Sequence, residues 1–224
     1  MRFRAASDQA VLVYFGDEIC AAVHQRVVRL LRLLQREPLP WVVNLQPAYC
    51  SLLICYDACQ VELAEVESEV RAYEQRAEHA ALPKSRRIDI PVCYGGEFGP
   101  DLADVAALHG LTTGQTIKLH TSQIYRAYFL GFAPGFAYLG DLPLDLATPR
   151  LATPRTKVAP GSVGIAGKQT AVYPFATPGG WQLLGRTPLT VFQTDRNPMG
   201  LISVGDEVRF FPITAAEFAS WEKS

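Results

Sequence analysis

The chain has 224 residues, 49% of them apolar and 19% charged, which excludes disorder and is enough for real cores without disulfide staples. Lys and Arg number 21 against 22 Asp and Glu, a net charge of −1. That balance argues against a nucleic-acid binder working through a basic face, and against a polybasic membrane anchor.

Residues 1–8, MRFRAASD, hold no signal-peptide stretch, and no apolar run approaches the length of a membrane span. The five cysteines (Cys20, Cys50, Cys55, Cys59 and Cys93) are odd in number and form no CxxC pair. The expectation is a cytoplasmic protein with reduced thiols, all five cysteines serving as small buried apolar residues.

Residues 9–15 read as a strand, and Asp17 is placed to cap the helix that follows. That helix carries Ile19, Val23, Val27, Leu30, Leu31 and Leu34 on one stripe, and Pro38 and Pro40 stop it. Strands are expected over 41–46 and 51–56, around a turn at Pro47. A second amphipathic helix shows Leu63, Val66, Val70, Tyr73 and Ala77 on one face and ends before Pro83. Residues 87–93 then alternate like a strand. The order βαββαβ predicts an α+β fold that opens with a small ferredoxin-like domain over residues 1–90. The charged helix faces read as solvated surface.

Glycine marks the second domain, 91–224. Gly16 stands alone in the first 94 residues, and the other sixteen glycines begin at Gly95. Helices are expected over 101–108, over 113–120, and at the end over 214–223. Short strands are expected over 124–130, 162–166, 170–173, 181–185, 189–192 and 207–211. Many short strands with Gly and Pro turns predict a closed or nearly closed β-barrel.

Self-contained catalytic motifs are missing. The segment 161–170, GSVGIAGKQT, approaches a phosphate loop but has Ser162 and Gln169 where the motif needs Gly and Ser or Thr. It reads as a glycine-rich turn. His24, His79, His109 and His120 lack metal-ligand spacing, so no metal is expected, and His120 reads as a structural histidine. No catalytic residue is identified.

Three stretches carry binding chemistry. Residues 131–140, GFAPGFAYLG, make a tight loop rather than a helix or regular strand, and its rings either plug the core or line a pocket. LATPR occurs twice, over 146–150 and 151–155, placing Arg150 and Arg155 on stiff extended backbone. These arginines either pair with Asp141 or Asp145 or bind an anion. The third stretch, 173–188, joins Tyr173 to a Pro178-Gly179 turn and Trp181. The expected site is one mouth of the barrel, lined by Phe132, Phe136, Tyr138, Arg150, Arg155, Gln169, Tyr173 and Trp181. Its aromatic wall suits a flat small-molecule ring, and its arginines suit a carboxylate or phosphate.

GFAPGFAYLG, the TPR pair, APGSVGIAGKQTAVYP and TPGGWQLLGRTP together resemble the B-subunit family of bacterial 5-oxoprolinases. This family is also called allophanate hydrolase subunit 1-like and includes Kip-type inhibitors of a sporulation histidine kinase. The four ordered motifs cover most strongly residues 86–212, and Val158-Ala159-Pro160-Gly161 swaps the middle pair of the usual form. The resemblance implies a cyclophilin-like barrel and an ATP-dependent complex that converts 5-oxo-L-proline to L-glutamate. It also implies two partners, a homologue of the 5-oxoprolinase C-subunit and a lactam-utilisation (LamB/YcsF-like) subunit, with ATP acting through the complex. Alternatives within the resemblance are the Kip-type kinase inhibitor and an accessory carboxyltransferase-like subunit acting on urea or an amide.

Overall fold

A computed structural model describes residues 1–78 and 85–221, in two units, Met1–Lys84 and Ser85–Ser224. His79, Pro83 and the last two residues of the helix expected over 214–223 lie outside the described residues.

The first unit runs β1 (Arg2–Ser7), β2 (Ala10–Tyr14), α1 (Ala21–Arg36), β3 (Val42–Pro47), β4 (Ser51–Tyr56) and α2 (Leu63–Glu78). Its strands form one antiparallel sheet in the order β1-β2-β4-β3. Alternation selects the buried face: Val11 and Val13 of β2, and Leu52 and Ile54 of β4, are fully buried. Against them α1 buries Val27, Leu30, Leu31 and Leu34, as the 3–4 spacing predicts. Helix α2 adds Val66, Val70 and Ala77. Arg26 of α1 reaches Glu74 of α2 at 2.5 Å.

Three details differ from expectation. Strand β1 joins through its backbone although its side chains are mostly exposed, so hydrophobic alternation gives no sign of it. Cys20, not Asp17, occupies the N-cap of α1; Asp17 instead pairs with Arg2, and Ile19 stays exposed. The strand expected to complete a βαββαβ domain belongs to the second unit, so the observed order is ββαββα.

That second unit comprises β5 (Arg87–Tyr94), α3 (Leu102–Leu108), α4 (Thr113–Thr121), β6 (Tyr125–Leu130), β7 (Ala137–Gly140), β8 (Arg155–Val158), β9 (Ser162–Ala166), β10 (Gln169–Val172), β11 (Thr177–Gly179), β12 (Gln182–Arg186), β13 (Glu207–Ile213) and α5 (Ala215–Trp221). Seven strands close a barrel in the order β10-β7-β6-β13-β5-β12-β9, and β8 and β11 pair separately. Strand β5 pairs in parallel with β13, from Arg87 opposite Glu207 to Cys93 opposite Ile213. Residues 189–192 form no strand; Phe192 makes only a single bridge to Gly200. Strands β7, β8 and β11, of three or four residues each, are additions to the expected set, and β7 puts residues 137–140 into regular structure.

The barrel interior is packed, not hollow. Ile90, Val92, Leu139, Val163, Ile165, Leu184 and Phe210 fill it. His120 enters from α4, fully buried and stacked on Phe210 with ring centroids 4.8 Å apart. The Thr170 hydroxyl donates to the Gly164 carbonyl at 3.1 Å and therefore accepts from His120 Nε2–H at 3.0 Å. That fixes Nδ1 as the acceptor of the Tyr94 hydroxyl at 2.8 Å. Burial drives the His120 pKa down to about 3, so the ring is neutral and structural.

Candidate functional site

Strand alternation turns one set of side chains into the barrel and the other set out. On β10, Val172 joins the interior cluster, while Ala171 and the following Tyr173 join a second cluster with Phe136, Val158, Ala166, Trp181 and Leu183. The aromatic cluster is thus built on the outer face of the wall formed by β7, β10, β9 and β12, and not at a barrel mouth. The period of two explains the difference: the rings are out of phase with the residues that fill the interior.

A pocket of about 80 Å³ opens here, lined by Phe132, Phe136, Tyr138, Arg150, Tyr173, Gly179, Gly180 and Trp181. Six of the eight predicted side chains are therefore together. Phe136 is the hub, meeting Tyr138, Tyr173 and Trp181 edge to face at 5.0, 5.2 and 5.5 Å between centroids. Phe132 stands above it, 62% exposed, edge-on to Phe136 at 5.3 Å. Its backbone is left-handed, with φ 68°, a conformation that costs a side-chain-bearing residue about 1–3 kcal/mol.

Two contacts set Arg150 at the rim. Leu151 N–H donates to the Gly180 carbonyl at 2.7 Å, and Gln182 Nε2 donates to the Pro149 carbonyl at 3.1 Å. The residues on either side of Arg150 are so held, while its guanidinium has no hydrogen-bond or ion-pair partner among the described residues. Gly179 and Gly180 join the lining beyond the predicted set. The signal for them is the Pro-Gly-Gly-Trp string: a Cβ at Gly179 would fall 2.5 Å from the Tyr173 hydroxyl, so only glycine lets the strand lie on that phenol.

Arg155 and Gln169 are not among the lining residues. Arg155 donates to the buried Asp101 carboxylate at 2.5 Å and to the Trp181 carbonyl at 3.5 Å. Its partner is thus neither Asp141, which accepts the Tyr128 hydroxyl, nor Asp145. Gln169 opens β10 opposite Ala166, at the Gly167-Lys168 hairpin. The glycine-rich segment that approached a phosphate loop is β9 and that hairpin; its amides are largely spent on the ladder and offer no cradle.

Burial pushes the Tyr138 and Tyr173 phenols up, with Arg150 opposing in both cases and the main chain of Trp181 opposing at Tyr173. Both therefore stay protonated at neutral pH. The lining presents hydroxyl groups and one guanidinium, with no carboxylate, over an aromatic floor. Such a surface accepts a flat apolar ring that carries an anionic group. Its volume falls well short of the roughly 300 Å³ of an enclosed ligand pocket, so it is a shallow hollow and not an enclosing cavity. Among the described residues no three His, Cys, Asp or Glu side chains converge as a metal site, and no helix is long and apolar enough to cross a membrane.

Comparison with known proteins gives a consistent picture. Residues 1–202 match the family described as carboxyltransferase domain, subdomain C and D. The chain is 41% identical to the 5-oxoprolinase B-subunit of Bacillus subtilis, over 96% of this chain and 94% of that one. With the 5-oxoprolinase B-subunit of Escherichia coli O157:H7 it shares 45% identity, over 92% and 93%. The crystal structure of TTHA0988 superposes with a TM-score of 0.82 at 32% identity, covering 92% of this chain and 40% of that chain.

Proposed function

The chain belongs to the carboxyltransferase C/D-domain family, among its 5-oxoprolinase B-subunit members, and on that premise we propose that it is the B-subunit of a multi-subunit, ATP-dependent 5-oxoprolinase. The complex opens the lactam of 5-oxo-L-proline to L-glutamate in the cytoplasm. Near-full-length identity to the 5-oxoprolinase B-subunits carries this reading.

The pocket is the substrate-facing surface of this polypeptide. The five-membered ring lies on Phe136, Tyr173 and Trp181, under Phe132. Its carboxylate takes the Arg150 guanidinium, whose planar fork can donate two hydrogen bonds to one carboxylate. The protonated phenols of Tyr138 and Tyr173 are donors for the exocyclic lactam carbonyl oxygen. The pocket does not fit a nucleotide, being about 80 Å³ in volume, and the 161–170 hairpin has no free phosphate cradle. No step through ATP is assigned to this chain.

A homologue of the 5-oxoprolinase C-subunit covers the open side of the pocket, and a lactam-utilisation subunit completes the enzyme. Supporting this, the pocket is a shallow hollow and not an enclosing cavity, and the TTHA0988 counterpart of this chain is part of a much longer polypeptide. Co-expression of the three subunits, followed by an assay for glutamate from 5-oxoproline and ATP, tests the reading. Turnover by the assembled complex and none by this chain alone is the expected result. Turnover by the isolated chain, or none by a stable assembly, overturns it.

A further inference from the structure

The aromatic wall depends on a loop outside the pocket. Residues 131–136 turn sharply: Phe136 N–H donates to the Ala133 carbonyl at 3.0 Å, and Gly131 N–H to the Phe136 carbonyl at 3.1 Å. This turn holds Phe132 in its left-handed conformation. What the turn rests on is Phe192. A Cβ at Gly135, where φ is 80°, would lie 2.6 Å from the Phe192 Cβ, so the Gly135 backbone sits directly on that side chain. The Phe192 ring also meets Phe175 edge to face, with centroids 5.4 Å apart.

Phe192 belongs to a segment that a single side chain closes. Arg196 donates to four main-chain carbonyls: Pro198 at 3.2 Å, Thr190 at 3.3 Å, Val191 at 3.2 Å and Met199 at 3.0 Å. These lie on both arms of the segment, which are also joined by Gln193 N–H to the Met199 carbonyl at 2.9 Å. The five donors of a guanidinium, in a fixed planar fork, are suited to such a cluster of carbonyls, and a lysine ammonium is not. The path runs from Arg196 to the Thr190 and Val191 main chain that it bonds, on to the adjoining Phe192, from there to Gly135, and along the turn to Phe132 and Phe136.

We propose that Arg196 and Phe192 are positioning residues for the pocket: Arg196 closes the 190–200 segment so that Phe192 buttresses the Gly135 turn and sets the rings of Phe132 and Phe136 against the substrate. The inference rests on the reading of the pocket as the substrate surface. Neither residue touches the ligand. Weakening the buttress lets the turn relax away from the strained Phe132 conformation, which loosens binding of substrate and transition state alike and so raises KM more than it lowers kcat.

The test uses the assembled three-subunit enzyme with Arg196→Ala, Arg196→Lys and the milder Phe192→Leu, and with Arg150→Ala as the pocket control. Steady-state kinetics with 5-oxoproline are combined with amide hydrogen exchange at residues 131–136. Expected are faster exchange in that turn and a KM raised about tenfold with kcat little changed, the Lys variant behaving like the Ala variant. A merely structural loss instead lowers the active fraction, and with it kcat, at constant KM. Unchanged exchange at 131–136 in every positioning variant overturns the proposal. So does faster exchange with unchanged KM where Arg150→Ala does raise KM. If KM is unchanged in all variants, Arg150→Ala included, the substrate-surface reading fails and the binding role of Arg196 fails with it.

Discussion

Arg155 and Asp101, 54 positions apart, form an ion pair at 2.5 Å in which the carboxylate also accepts the Leu183 N–H at 2.6 Å. The pair binds β8, the start of α3 and β12 into one piece behind Trp181. Arg155→Ala leaves Asp101 buried and short of a charged partner. We expect a loss of about 2–3 kcal/mol in unfolding free energy, read by denaturant titration. Substrate affinity per folded molecule should hold.

Arg150→Ala should behave in the opposite way. Its side chain is exposed and bonded to nothing else described, so melting should not move. A charge-assisted contact to a carboxylate is worth about 1.5–3 kcal/mol, so 5-oxoproline binding to the complex should weaken roughly 10- to 100-fold. Titration and thermal melts on the same preparation check both halves; wild-type affinity in this variant excludes the anion-site assignment.

Gly179→Ala places a methyl group 2.5 Å from the Tyr173 hydroxyl. The phenol has to move or the strand has to lift. An overpacking cost of about 1–3 kcal/mol is expected, with weakened ligand binding because Tyr173 is itself part of the lining. Gly96→Ala makes a useful contrast: a Cβ there would meet no atom within 4 Å, but its φ of 53° adds backbone strain without touching the pocket. It should lower stability and spare affinity. Urea titration and ligand titration on both variants check the contrast.

His120 makes the barrel sensitive to acid. Its pKa falls from 6.5 to about 3 through burial, so the unfolded chain takes up a proton that the folded one refuses. The stability it contributes is complete above the unfolded pKa of 6.5 and is lost as pH falls toward about 3. The slope is about 1.4 kcal/mol per pH unit within that window. Replacement by Gln removes the titration, so urea midpoints of His120→Gln should fall less steeply between pH 6 and pH 4 than those of wild type. Equal slopes would exclude His120 as the source.

Legibility in the sequence followed the range of each interaction. The aromatic lining was readable because Phe132, Phe136 and Tyr138 lie in one short glycine-punctuated stretch, and because Pro178-Gly179 announces the turn before Trp181. The two LATPR repeats, identical in sequence, were not separable: Arg155 is distinguished by an aspartate 54 positions away, and nothing local encodes that pairing. Strands β9 and β13 were recoverable from their patterns, whereas β7, β8 and β11 are too short to show a period. Strand β5 was recognisable as a strand but not assignable to its sheet, since alternation gives the element and not its partner. The same limit hid the side of the barrel wall on which the rings lie.

The parallel seam between β5 and β13 also governs when the barrel can exist. Arg87 has to wait for Glu207, which leaves the ribosome 120 residues later. At synthesis rates of about 5–20 residues per second that delay is on the order of 6–24 s, and through it β5 has neither of its barrel neighbours until β12 arrives. The first unit contains all its own strand partners and can be finished long before. During biosynthesis this polypeptide therefore passes through a stage with a completed leading unit and an apolar β5, bearing Ile90 and Val92, still open to chaperones or to a neighbouring nascent chain.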